Sequence, residues 1–194
     1  MHRYSWLICL ALAACGGESA GDAARDTTRP PTGAARAPSP DAAADTAASP
    51  WAVSDAGAGP VRVGMSAAEA RRAVGGELSL PINLDATCEY ARARAAPAGL
   101  RFMLHDGQVA RVDADSAAAS TTRGVRVGDS EARVRERYGS AVREEPHKYV
   151  AGGRYLVVRG ADTTRALVFE TDGRVVTRYR GGRLPEVLWV ERCG

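Results

Sequence analysis

Val61-Arg62-Val63-Gly64-Met65-Ser66 leads on to Gly75, and Val125-Arg126-Val127-Gly128-Asp129-Ser130 leads on to Gly139. Aligned without gaps, the two stretches share Val-Arg-Val-Gly and the Ser. They also match Ala68 with Ala132, Arg71 with Arg135, and the closing Gly. An internal repeat is read before anything else, because each copy is one structural unit. The Val-Arg-Val triplet is β-prone, and the Gly after it ends the run. Ser66 with Glu69 three residues on makes a capping box, so a helix starts there. Ser130 or Asp129 caps the second copy, which has Arg133 in place of the Glu. Ala70 with Val74, and Val134 with Tyr138, lie one turn apart and form the core stripe of each short helix. Gly75 and Gly139 fit C-terminal glycines.

Strand-like runs come after each helix. In the first copy they are Thr87 to Ala93, Leu100 to Leu104 and Gln108 to Asp113, the last two joined through His105-Asp106-Gly107. In the second they are Gly153 to Arg159, Arg165 to Glu170 and Arg174 to Tyr179, the last two joined through Thr171-Asp172-Gly173. A final run, Glu186 to Glu191, closes the chain. The expected class is α+β. It consists of two tandem units, about 58–118 and 119–194, each a short helical segment on an antiparallel sheet, with the sheets merged. The faces stay open, since one residue of register flips every side chain.

Gly-Met-Ser opening a short helix that closes on Gly, before an antiparallel sheet, resembles the outer-membrane assembly lipoproteins of the SmpA/OmlA type. The carrying residues are Val63-Gly64-Met65-Ser66 through Gly75, and more weakly Val127-Gly128-Asp129-Ser130 through Gly139, where Asp129 replaces Met65. Doubling the unit in one chain is similar to the β-lactamase-inhibitory proteins. Neither family's partner-binding residues can be placed on this sequence.

Residues 1–14 carry one Arg before a short apolar run, the pattern of a secretory signal too short to span a membrane. Leu12-Ala13-Ala14-Cys15 resembles the bacterial lipobox. The resemblance implies a diacylglyceryl thioether on Cys15, cleavage before it and acylation of the new amino group. An ordinary signal peptide with an incidental Cys is the alternative. Several acyl chains anchor firmly, at about 0.8 kcal/mol per buried CH₂. Gly16 after the Cys implies the outer membrane, by resemblance to lipoprotein sorting. From Gly16 to Pro50 there is no Val, Ile, Leu, Met, Phe, Trp or Tyr. Such a stretch cannot offset the entropy of ordering, so residues 15–50 read as a lipidated N-terminus and disordered tether. The globular domain runs from Trp51 to Gly194.

The chain has a net charge of +3, of which Arg3 leaves with the signal. No basic block appears, which argues against a nucleic-acid partner. Cys9 leaves and Cys15 is lipidated, so Cys88 and Cys193 remain as an even pair in an oxidising compartment. They read as a disulfide; two buried thiols or a metal pair are the alternatives. No Cys-x-x-Cys is present, and His105 and His147 lack ligand spacing with either Cys, so no metal or cofactor is expected. His105-Asp106 has no marked nucleophile among Ser116 or Ser120, and Asp113 with Asp115 lacks the rest of a Ca²⁺ loop. The chain is therefore not expected to be an enzyme.

Tyr155, Arg178, Tyr179, Arg180 and Trp189 fall in or beside the last strands. Tyr, Trp and Arg are enriched at binding hot spots, and these five form the candidate binding face. Core aromatics with solvated arginines are the alternative. The functional expectation is a non-enzymatic, lipid-anchored envelope protein, at the outer membrane facing the periplasm, that binds another envelope protein. A tethered inhibitor of a secreted hydrolase and a small-ligand module are the rival expectations.

Overall fold

The computed structural model of the protein describes residues 49–79 and 87–193. The signal segment, Cys15 and nearly all of residues 15–50 lie outside the described residues. Three two-residue strands come first, β1 (Val53–Ser54), β2 (Gly57–Ala58) and β3 (Val61–Arg62), and they form a small antiparallel sheet. Helix α1 (Ala67–Ala73) precedes β4 (Leu78–Ser79), β5 (Cys88–Ala93), β6 (Leu100–His105) and β7 (Gln108–Ala114). Helix α2 (Glu131–Tyr138) precedes β8 (Val142–Pro146), β9 (Arg154–Arg159), β10 (Arg165–Thr171) and β11 (Val176–Arg183). These eight strands form one sheet in the order β4-β5-β6-β7-β11-β10-β9-β8.

The expected class of two tandem helix-on-sheet units is corrected by this arrangement. The protein is mostly β, with one eight-stranded sheet, a three-stranded sheet and two short helices. The helices have 7 and 8 residues and make no layer of their own. The physical reason is in the sequence. Each helical stretch stops after about two turns, at Val74 and Gly139, and the long apolar runs beyond it have the period-two pattern of strands. The run Glu186 to Glu191 is also not a strand. Glu186–Leu188 is a 3₁₀ turn, and the remainder is irregular. Strand β3 falls on the β-prone Val61-Arg62-Val63 run, whereas β1, β2, β4 and β8 are not foreseen in the sequence: β8 is a polar edge strand, and the others are too short to show alternation.

The repeated stretches make matching contacts with the sheet. The Gly64 amide donates to Val109 O at 2.8 Å, Val109 N to Met65 O at 2.7 Å, and Ala67 N to Gly107 O at 3.0 Å. At the matching places Gly128 N donates to Val176 O at 2.8 Å, Val176 N to Asp129 O at 2.8 Å, and Glu131 N to Arg174 O at 3.1 Å. The capping box of α1 forms as read, with Glu69 N donating to Ser66 Oγ and Ser66 N to Glu69 Oε2. Ser130 caps α2, while Asp129 accepts instead from the Arg126 amide. The β6–β7 hairpin turns on Asp106 and Gly107, both with positive φ (51° and 73°), a conformation that costs Gly little.

The sheet has two unequal faces. One carries the main core, in which Phe102, Leu104, Val112, Leu156, Phe169 and Tyr179 pack with Val134 and Tyr138 of α2 and with Val53 and Val61 of the small sheet. The other carries a smaller apolar cluster of Tyr155, Val157, Ala166 and Val168. That cluster is covered by residues 184–193, here called the strap, through buried Val187 and part-buried Leu184 and Val190.

Candidate functional site

The strap and the sheet face beneath it bring together most of the buried charge. Along β7, Val109, Val112 and Ala114 enter the main core, which leaves Arg111 and Asp113 on the opposite face. Along β11, Tyr179 enters the main core, which leaves Arg178 and Arg180 on the strap side. Strand β10 adds Glu170, and β5 adds Tyr90. Arg111 and Arg180 are 1% and 2% exposed, a placement that needs full pairing.

The pairing is present. Arg111 Nε donates to Asp113 Oδ2 at 2.9 Å, and Nη2 donates to the Tyr90 hydroxyl at 2.9 Å. Nη1 donates to two strap carbonyls, Glu186 O at 2.8 Å and Trp189 O at 2.7 Å. Arg180 Nε donates to Val187 O at 2.5 Å, and its Nη1 is paired with Glu170. Burial alone would lower the Arg111 pKa, but Asp113 and Tyr90 outweigh it and hold the guanidinium firmly charged. Burial depresses Arg180, and Glu170 opposes this only in part. Burial, with Asp113 beside it, pushes the Tyr90 hydroxyl up to about 12, so it stays protonated as a donor.

Two histidines border the strap. His105 Nδ1 lies 2.9 Å from Glu186 Oε1, and its ring meets Trp189 edge-on at 4.9 Å. Glu186 also accepts from Arg183 Nε at 2.9 Å. Burial raises the Glu186 carboxyl, but Arg183, its own backbone amide and His105 hold it below the usual carboxylate range. His147 stacks on Tyr155 at 4.5 Å, and its Nδ1 accepts from the amides of Tyr149 and Val150 at 3.1 and 3.2 Å. That fixes the turn that carries Tyr149 and Val150, which are 62% and 41% exposed. Tyr149 and Lys148 both bond Glu191 of the strap, the latter at 2.8 Å. Lys148, Leu188, Trp189, Val190, Glu191 and Arg192 line a pocket of about 390 Å³ beside this turn.

The five residues of the expected binding face are not brought together as one exposed surface. Tyr179 is 1% exposed in the main core, beside Phe169 at 5.7 Å. Tyr155 and Arg180 lie buried under the strap. Arg178 remains part-exposed, paired with Glu170 at 3.1 Å, and Trp189 lies part-exposed in the strap. The physical reason is alternation. Tyr179 falls between Arg178 and Arg180, so it must point to the other face. Asp113 and Asp115 are held by arginines, Arg111 and Arg101 respectively.

Cys88 and Cys193 form a disulfide with Cα atoms 5.4 Å apart, which fastens the end of the strap to β5. Sequence reading missed Arg111, Glu170, Glu186, Tyr149 and Leu188. A signal existed for two of them. Arg111, with Asp113 two residues on, and Glu170 are charges inside otherwise largely apolar strands, Val109 to Ala114 and Ala166 to Thr171, where a charge needs a buried partner. Comparison with known protein families, curated proteins and solved structures gives no match for this chain.

Proposed function

We propose that the protein is a non-enzymatic, lipid-anchored component of the cell envelope that presents its sheet domain to another envelope protein. The observation that carries the reading is the rim beside the strap. Among the described residues, the exposed large hydrophobics are Tyr149, Val150 and Leu188, and two of them flank the Lys148–Glu191 ion pair. Scattered single apolar residues are ordinary on a surface, whereas an aromatic and aliphatic group next to a pocket and a charged border has the anatomy of a protein contact. Tyr149 and Trp189 supply the amphipathic rings that dominate such contacts. The histidines of the site support the same reading, since His105 and His147 are engaged in holding Glu186 and the 147–150 turn. The anchor rests on Leu12-Ala13-Ala14-Cys15. With that sorting signal, the outer membrane facing the periplasm is the proposed location.

A photo-crosslinking residue at position 149, activated in intact membranes of the producing cell, tests the partner. One discrete protein adduct is expected, and Leu188→Asp should diminish it about tenfold or more, the scale of a hot-spot loss. Absence of any adduct at 149 would remove the basis of the reading. Mass spectrometry of the N-terminal peptide tests the anchor in parallel: an acylated Cys15 is expected, and an unmodified one overturns the lipid anchor.

A further inference from the structure

Arg111 and Arg180 stand on the paired strands β7 and β11, and both aim at the backbone of the strap. Three strap carbonyls, Glu186, Val187 and Trp189, accept from them. Carbonyl recognition is indifferent to side-chain identity. Selection by side chain comes chiefly from Val187, which is fully buried on the floor of Tyr155, Val157, Ala166 and Val168, and from the neighbouring Glu186, whose buried carboxylate meets His105 at 2.9 Å; Leu184 and Val190 pack at the edge of the floor. Each guanidinium also has a carboxylate on the sheet itself, Asp113 for Arg111 and Glu170 for Arg180. Departure of the strap therefore leaves neither charge buried without a counter-charge, the situation that otherwise destabilises strongly. The far end of the strap is tied by the Cys88–Cys193 bond, and both cysteines are part-exposed, within reach of an attacking thiolate.

We infer that the sheet face under the strap is a binding site for a peptide segment, read through its backbone carbonyls, one buried aliphatic side chain and the acidic side chain before it, with the strap as resident occupant and the Cys88–Cys193 bond as latch. A dithiol reductant opens the latch. One of its thiolates attacks a sulfur of the bond, which breaks, and the mixed disulfide is resolved by the second thiol. Two electrons and two protons pass to Cys88 and Cys193, which become thiols, while the dithiol becomes a disulfide. The strap also carries Leu188, Trp189 and Glu191 of the contact rim proposed above, but the inference does not rest on that partner, and its test uses the purified chain alone.

The full chain carrying Val187→Asp is prepared in oxidised form and after reduction with dithiothreitol. The charged side chain cannot seat on the apolar floor, so the reduced strap is a poor competitor. The probe is a fluorescent synthetic peptide of residues 184–194 with Cys193→Ser. Saturable binding to the reduced variant is expected. The oxidised variant should bind about a hundredfold more weakly, because the latched strap stays over the face at high effective concentration. The same peptide with Val187→Asp should not bind the reduced variant. In the wild-type chain, reduction should speed amide exchange at 186–190 while β10 and β11 keep their protection. No saturable binding, or equal binding to both redox forms, overturns the inference. Loss of protection in β10 and β11 on reduction also overturns it, because the face would then not outlive the strap. If Val187→Asp does not fold, the wild-type exchange measurement decides alone.

Discussion

Glu131 opens α2, and its carboxylate joins the helix to the β9–β10 side of the sheet. It accepts from Thr171 Oγ1 at 2.6 Å, from Arg154 Nη1 at 2.7 Å and from Arg135 Nη2 at 3.0 Å. Burial pushes this carboxyl up, but the Thr171 hydroxyl, Arg135 and Arg154 outweigh it and hold it below the usual range. A carboxyl lowered in the folded state contributes stability above its unfolded pKa, and that contribution is lost as pH falls through the folded value. Glu131→Gln should therefore destabilise the protein by roughly 2–3 kcal/mol at pH 7, a little below the figure for breaking a fully buried pair, because both arginines are part-exposed. Urea unfolding should show the gap between wild type and variant narrowing below about pH 4. An unchanged gap at low pH would mean that the carboxylate's charge is not what matters. Of its partners only Arg135, four positions on, is local; Arg154 and Thr171 lie 23 and 40 positions away on other strands, so the sequence around Glu131 does not mark its role in joining helix to sheet.

Among elements, the strap depends most on one bond. The disulfide spans 105 positions, and the chain-entropy treatment gives a closed loop of that size about 4.7 kcal/mol, an upper figure. Cys193→Ser should lower the melting temperature by roughly 10 °C, the scale expected for a few kcal/mol in a domain of this size. Calorimetry should show wild type under reducing conditions matching the variant; a variant melting with oxidised wild type would refute the contribution. This element also shows where sequence reading stops. The pair Cys88 and Cys193 was legible by elimination, and the strands β5, β6, β7, β9 and β10 were legible from their apolar runs. Their faces were not, because bulges shift the register at Met103/Leu104 and at Glu170/Thr171. Each bulge changes which alternate residues face the core, and neither has a local signal. The strap itself reads as a strand because Val187-Leu188-Trp189-Val190 is apolar. Its carbonyls are taken by arginines 75 and 7 positions away, and that fact belongs to the tertiary structure alone.

At the scale of the whole molecule, the sheet is continuous only through the pairing of β7 with β11, which joins the strands after α1 to those after α2. The repeat in the sequence foretells that each copy brings its own strands. It does not foretell that neither copy keeps a helical layer, because helix length is decided by the glycines after two turns and by how little apolar surface Ala70 and Val134 offer. The seam has its own requirement. Gly181 and Gly182 pair with Val112 and Arg111, so two consecutive positions of β11 have no side chain where the strands meet. A Cβ on Gly182 would come within 2.5 Å of Ala110 O and 2.7 Å of Arg111 Cα, and both are backbone atoms that no rotamer change can move. The close approach also sets the height of Arg111 relative to the strap, because its Cβ would be the first side-chain atom displaced. Gly182→Ala should therefore act on both at once. Overpacking of this kind costs about 3 kcal/mol where the backbone must shift. Denaturant unfolding should show that loss. Amide exchange should show faster opening along β7 and β11, with the outer strands β5 and β9 less affected. A variant as stable as wild type, with β7 and β11 still protected, would mean that the seam can widen without loss and that the glycines are not what holds the two halves in register.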